Sequence, residues 1–244
     1  MLELGSFGPR KRAVLVVSEM TSRTDRAPVP RRRVSAIVLA AGTSSRMREP
    51  KPLVRLAGRP LLAHVLEGLR KSSVREIVVV LGAEADRVRR EIPLDAMRVV
   101  ENPDYAQGMS TSICAGLRAA DPAAEGFLIV LGDQPFVAAS TIDALVGGSA
   151  EREARIWIPT YHGVRGNPVL FDRSLSREIE AVRGDIGCRG VIEAHPREVV
   201  EVSVGDPGIL IDADTPEDLR RIEAALDHGG SLEALADERM RATR

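Results

Sequence analysis

Aromatic side chains are scarce: two Tyr, four Phe and one Trp make up 3% of 244 residues. Platforms of stacked rings that hold single-stranded nucleic acid need more than this, and the core has to be aliphatic. Cysteine is as rare. Cys114 and Cys188 supply neither a disulfide framework nor a zinc set, which points to a reducing cytoplasm. The four histidines, His64, His162, His195 and His228, show no metal-ligand spacing. No apolar run approaches the ~18 residues needed to cross a bilayer. Residues 13–17 are too short for the apolar stretch of an export signal. The expectation is a cytoplasmic protein without a membrane partner. A surplus of one charge is missing too: the formal net charge is −1, so there is no general pull toward nucleic acid. Neither GxxxxGK[ST] nor GxGxxG occurs, so a P-loop and a dinucleotide fingerprint are both excluded.

What the chain has is aliphatic bulk and regular alternation. With 44% hydrophobic and 28% charged residues it can bury the core of one α/β domain. Residues 1–33 carry eight Lys/Arg against three Asp/Glu and end in a Pro-rich basic run. They read as a basic, disordered N-terminal extension, with Arg31, Arg32 and Arg33 a solvated flank or a phosphate-binding arm. The domain is expected over 34–226, and a polar helix or tail over 227–244. Apolar runs at 34–39, 76–81, 97–100, 127–131, 156–159, 168–171, 199–204 and 208–211 read as strands. Helical spacing is read from 60, over 84–91, after a cap at Ser110 or Thr111, and over 138–146, 174–182 and 217–226. This order predicts a doubly wound, mostly parallel, Rossmann-like α/β sheet flanked by helices. In such sheets ligands bind beyond the carboxyl ends of the strands. The polar turns after Leu39, Leu131 and Ile211 should therefore meet at one edge.

Three stretches carry the chemistry. Leu39, Ala40, Ala41 and Gly42 turn out of the first strand into a loop rich in backbone N–H groups, and Arg46 and Lys51 stand behind it. Such a loop with two cations suits a triphosphate; a plain strand-to-helix turn is the bland alternative. Asp133 ends a strand and is followed by Pro135. It suits a divalent metal, or the cap of the next helix. Asp212 and Asp214 precede Thr215 and Pro216 at a helix start. On a persisting strand the two would share a face, and Asp214 is the favoured second ligand, with Asp212 as support. Magnesium uses one or two carboxylates and keeps waters and substrate phosphates, so two aspartates from different strand ends suffice.

Taken together, LAAGTSSRM with Lys51, GRPLLAHVL, NPDYAQGMSTSICAGL, LGDQPF, GNPVLF, GDIGCRG and DADTPEDL resemble the molybdenum cofactor cytidylyltransferase group of the MobA-like nucleotidyltransferases. That group belongs to the glycosyltransferase-A-like superfamily, and the resemblance spans residues 34 to about 226. It implies transfer of CMP from CTP to the phosphate of molybdopterin carrying molybdenum, with Mg²⁺ as cofactor and a molybdenum hydroxylase apoenzyme as a candidate recipient. It implies further that Leu39, Ala40, Ala41, Gly42, Arg46 and Lys51 hold base and phosphates, and that Gly108 and Ser112 close over the base. Asp133 and Asp214 become the metal positions, and Arg46, Lys51 and Asp133 the catalytic set. Guanylyltransferase relatives carry Leu-Ala-Gly-Gly in the first loop, so Ala41 tilts the choice toward cytosine. Asn167, Asp185 and Arg189 fall in the half expected to take the acceptor. Asn167 stands where relatives often carry His, and Cys188 where a small residue is common; both bear on acceptor identity. Transfer from GTP, or to a sugar or polyol phosphate, is the alternative within the fold. A non-catalytic carrier of the finished cofactor is the alternative from another class.

Overall fold

The structure, a computed structural model, describes residues 14–16, 32–42, 47, 49–150, 154–227 and 231–242. In chain order the elements are β1 (Val14–Val16), β2 (Val34–Ala40), β3 (Arg55–Leu56), β4 (Arg59–Pro60), α1 (Leu61–Arg70), β5 (Glu76–Leu81), α2 (Ala85–Glu91) and β6 (Arg98–Glu101). They continue with α3 (Met109–Ala119), β7 (Gly126–Leu131), α4 (Ala139–Gly148), β8 (Ile156–Tyr161), β9 (Val164–Arg165), β10 (Val169–Asp172) and α5 (Ser176–Ala181). The last are α6 (Arg189–Ala194), β11 (Val199–Ser203), α7 (Pro216–Asp227) and α8 (Leu232–Ala242). No helix among the described residues is long and apolar enough to cross a membrane.

The main sheet runs β1-β11-β8-β10-β7-β2-β5-β6, with β9 folded back on β8. All pairings are parallel except those of β10 with β7 and β8 and of β9 with β8. The expected mostly parallel, doubly wound α/β sheet is what forms. Buried strand residues alternate between its faces, as a period of two requires. Ala36, Val38, Val79, Leu81, Leu128 and Val130 pack on one face with Leu62, Leu66 and Leu69 of α1 and Leu145 of α4. Ile37, Val78, Val80, Phe127 and Ile129 pack on the other with Ile113 and Leu117 of α3 and Ile179 of α5. Each fully buried aliphatic side chain contributes roughly 1.5–3 kcal/mol of transfer free energy, so the wholly apolar centre of β2 suits it to the middle of the sheet.

The order of the strands positions the site. From β2 the chain steps outward to β5 and β6, then crosses back to place β7 on the other flank of β2. The winding reverses between β2 and β7, which leaves a crevice beyond their carboxyl ends.

Three expectations change. The run at 208–211 is not a strand: Pro207–Leu210 forms a 3₁₀ turn, held by Asp206, whose Oδ1 accepts from Gly208 N at 2.9 Å. The strand expected at 156–159 runs on to Tyr161 and folds back in a hairpin, in which Tyr161 pairs with Val164. His162 and Gly163 take its two turn positions at φ 47° and 79°, the left-handed pair that a two-residue hairpin needs. The α3 start has no side-chain cap, so neither Ser110 nor Thr111 fills that place; the Thr111 hydroxyl donates to Gly108 O at 2.9 Å.

The basic extension contributes to the fold at two places. β1 pairs in parallel with β11 at one sheet edge. Arg32 donates to Asp172 and to Glu125 O, and lies 5.3 Å over the Trp157 ring. Arg32 is thus tied into the domain as neither a solvated flank nor a phosphate arm. Arg31 and most of residues 1–31 lie outside the described residues.

Candidate active site

A cavity of about 330 Å³ opens beyond the carboxyl ends of β2 and β7, within the range of small-molecule sites. Leu39, Ala40, Ala41 and Gly42 form one wall, Leu131, Gly132 and Asp133 another, and Lys51 with Asp214 the floor between them. Gly108, Met109 and Ser112 close it from the start of α3. The turns after β2 and β7 and the loop before α7 therefore meet as expected, although only the first two leave strand ends, since the run before the third is a 3₁₀ turn.

The carboxylates are clamped by backbone. Gly132 N donates to Leu39 O at 3.0 Å, and Ala213 N donates to Asp133 O at 3.0 Å. A Cβ on Gly132 would lie 2.7 Å from Leu39 O, so only glycine lets the end of β7 lie this close to β2. Thr215 and Asp218 form a reciprocal cap at the start of α7: Asp218 N donates to Thr215 Oγ1 at 3.2 Å, and Thr215 N to Asp218 Oδ2 at 2.8 Å. This fixes the loop that carries Asp214, with Thr215 and Pro216 in the places their sequence predicts.

Lys51 joins the two aspartates. Its Nζ donates to Asp133 Oδ2 at 2.7 Å and to Asp214 Oδ1 at 2.5 Å. Burial pulls the ammonium toward its neutral form, but the charge and hydrogen bond of Asp133, then those of Asp214, outweigh this and raise its pKa above the ordinary 10.5. Asp133 does not cap the following helix; Asp206 does, with Oδ2 accepting from Ala138 N at 2.8 Å and Thr141 Oγ1 at 2.7 Å. The other Asp133 oxygen, Oδ1, is buried and has no hydrogen-bond partner among the described residues. An orphaned carboxylate oxygen beside a second carboxylate is the donor set a hard divalent cation takes. Among the described residues no group of three or more His, Cys, Asp and Glu is arranged to hold a metal ion, so protein ligands here would be the two carboxylates alone.

Asp212 and Asp214 do not share a face, because no strand carries them. Asp212 turns away from Lys51, accepts from Gln134 Nε2 at 2.6 Å and from Arg239 of α8 at 3.0 Å, and supports the loop from behind. Burial raises its pKa, and the charges of Asp133 and Asp214 add to that.

The entrance to α3 is the second half of the site. Gly108 sits at φ 113°, and a Cβ there would lie 2.7 Å from Gly184 C. Asp185 Oδ1 accepts from Met109 N at 3.0 Å, so Asp185 joins the cavity wall beside Ser112. Asn167 and Arg189 do not line this cavity. Asn167 donates its N–H to Ile209 O at 3.2 Å, and Arg189 is an exposed residue at the start of α6. Of the three residues expected in the acceptor half, only Asp185 reaches the cavity. Arg46 lies outside the described residues.

Several wall residues escape a sequence reading. Met47, Pro52 and Tyr105 line the cavity, yet in sequence they are ordinary apolar or turn residues. Asn102 and Gln134 are buried amides: Asn102 Nδ2 donates to Ser112 Oγ at 3.0 Å and Gln134 to Asp212. Both precede a proline, Asn102 directly and Gln134 before Pro135. That marks a turn without disclosing what the amide holds.

With the geometry in hand, comparison with known proteins is specific. Residues 36–199 match the family described as MobA-like NTP transferase domain. Nicotine blue oxidoreductase of Paenarthrobacter nicotinovorans is 32% identical over 198 residues, 78% of this chain and 96% of that protein. The crystal structure of the Mycobacterium tuberculosis rv0371c homolog from mycobacterium sp. strain JC1 aligns with TM-score 0.74 at 33% identity, over 80% of this chain and 98% of that one. Rv0371C of Mycobacterium tuberculosis H37Rv, solved in complex with manganese, aligns with TM-score 0.68 at 28% identity, over 79% and 98%.

Proposed function

This chain belongs to the MobA-like NTP transferase family and is a nucleotidyltransferase, and from that premise we propose that it moves CMP from CTP to the terminal phosphate of a molybdopterin-type acceptor carrying molybdenum. The products are the cytosine dinucleotide form of the cofactor and pyrophosphate. The observation that carries the reading is Lys51 held between Asp133 and Asp214 at the winding reversal, against the backbone of Leu39–Gly42.

Asp133 and Asp214 are the residues to hold a divalent cation, magnesium in this reading; the manganese found with Rv0371C supports a divalent metal. Bound there, the cation supplies charge neutralisation to a nucleotide phosphate. The protein's own groups do the rest. Backbone N–H groups of residues 40–42 face the phosphates, and Lys51 neutralises the charge that builds on the departing pyrophosphate. Arg46 shares that role through the resemblance. An acceptor phosphate oxygen forms the new bond to the α-phosphorus of CTP, and the bond from that phosphorus to the bridging oxygen of the β-phosphate breaks. The electron pair leaves with pyrophosphate. No general base is needed, because the acceptor phosphate is already ionised at neutral pH. Phosphoryl-type transfer rests on positioning and electrostatics, and two carboxylates, a lysine and a strand-end loop supply those. Gly108 and Ser112 close over the base, and Ala41 favours cytosine.

The relative named as an oxidoreductase gives a second outcome to test. Pyrophosphate release is measured with each of the four nucleoside triphosphates, with and without molybdenum-loaded molybdopterin, alongside oxidation of a reduced nicotinamide nucleotide. Release that requires both CTP and the acceptor supports the proposal. Release with GTP or with a sugar phosphate moves the chain elsewhere in the family. No release with any pair favours a cofactor carrier.

A further inference from the structure

We infer that Lys51 is a built-in stand-in for the divalent cation, so that cation and nucleoside triphosphate enter the site as one complex rather than one after the other. This rests on the reading of Asp133 and Asp214 as the cation's ligands. The lysine Nζ sits 2.7 Å from one carboxylate and 2.5 Å from the other, spanning the place between the two acidic groups. An ammonium is a compact point charge with three donors, and one such group serves two carboxylates at once.

A free divalent cation approaching this arrangement is drawn by two negative charges and repelled by a positive charge already among them. Asp133 Oδ1 is buried without a hydrogen-bond partner among the described residues, and one such oxygen is a poor grip for a cation that binds through several. A triphosphate changes the balance. It offers Lys51 a new and more highly charged partner and brings further oxygens to the cation, so both carboxylates are released together. The exchange needs little backbone movement. Lys51 begins the 3₁₀ turn Lys51–Leu53, stiffened by Pro52 and closed by Leu53 N to Pro50 O at 2.8 Å. The lysine stem alone has to swing, and the cavity beside Gly42 gives it room. The site therefore stays shut to free metal ions and is loaded by the metal–nucleotide complex.

The test is manganese binding to the full chain without nucleotide, followed by the loss of the electron paramagnetic resonance signal of free Mn²⁺. Lys51→Met should bind Mn²⁺ about tenfold more tightly than the unaltered protein, at the lower end of the coupling measured for close charge pairs. Lys51→Arg keeps a cation in place and should stay weak. Adding Asp133→Asn to Lys51→Met should remove the gain. A Lys51→Met protein with an unchanged thermal melt and equal or weaker Mn²⁺ binding overturns the inference. Should that variant fail to fold, the unaltered protein decides alone: binding of Mn²⁺ as tight without a non-hydrolysable nucleoside triphosphate as with it overturns the inference, and tightening by the nucleotide supports it. Neither readout depends on the acceptor or the base. Failure of nucleotidyl transfer with a gain in Lys51→Met would discard the proposed reaction and leave the cation exchange standing; the reverse would do the opposite.

Discussion

In the proposed reading Lys51, Asp133 and Asp214 illustrate how few side chains a phosphoryl-type site needs when the backbone holds them. On that reading Asp133→Ala removes a cation ligand and one of the two carboxylates that hold Lys51, so turnover should fall on the order of 10²–10³, the usual cost of one electrostatic contact in a transition state. A steady-state assay at saturating magnesium and nucleotide checks this; near-normal turnover would remove Asp133 from the metal role. A second group of charges lies at the amino ends of β8 and β11. His195 meets Glu178 at 2.5 Å and Glu198 at 3.0 Å, and Glu198 also takes Arg155 at 2.8 Å. The Glu178 hydrogen bond, against some burial and with help from Glu198, raises the His195 pKa above 6.5. That stabilisation is complete below about 6.5, where unfolded His is protonated, and is lost as pH rises through the higher folded value. The Arg155 hydrogen bond holds Glu198 at about 2, so its contribution is present above the ordinary carboxylate pKa and is lost as pH falls toward about 2. Thermal melts from pH 6 to 9 should show stability declining over this range in the unaltered protein and a flatter profile in His195→Gln. Identical profiles would dissolve this account.

Between elements, the site depends on junctions that no single segment reveals. The first is the entry to α3, where Gly108 at φ 113° lies against Gly184. Gly108→Ala combines a strained backbone with a clash against backbone atoms, and should cost about 1–3 kcal/mol while raising KM for the nucleotide more than it lowers kcat. Denaturant unfolding and steady-state kinetics test the two parts. The second is α8, whose buried Ala236 packs with Tyr161, Ile209 and Leu210 and whose Arg239 reaches Asp212. Arg239→Met should loosen the loop carrying Asp214 and weaken Mn²⁺ binding in the presence of nucleotide; unchanged binding would make α8 a packing element alone. The sequence already marks α7, because Thr215 and Pro216 are strong start signals, and β2, β5 and β7, because five or six adjacent apolar residues can only be buried. It misreads 208–211, where the residues are apolar for packing but Gly208, Ile209 and Leu210 are wound in a 3₁₀ turn. Apolar character signals burial, and so short a run carries no period to tell turn from strand. The partners of Asn102 and Gln134 are invisible for a related reason, since a buried amide is recognised by what it touches across the fold.

At the scale of the molecule, one property accounts for the site: the winding reverses between β2 and β7, so the turns after both strands open into one crevice. The expectation that polar strand-end turns converge needs only the alternation of strands and helices, which is why Asp133 and the 39–42 loop can be paired from the sequence alone. Acceptor recognition is not carried by alternation. Of Asn167, Asp185 and Arg189 only Asp185 reaches the cavity, because the β10 return strand and the α6 start are set by sheet packing and not by the crevice. The proposed transfer of a cytidylyl group in this crevice is tested most directly by the fate of a labelled phosphorus. With CTP labelled at the α-phosphate, magnesium and molybdenum-loaded molybdopterin, the label should appear in the acceptor product in a one-to-one ratio with released pyrophosphate, and should fail to appear with Asp133→Asn. Label that stays in CTP, or is released as free CMP without entering the acceptor, would contradict the account.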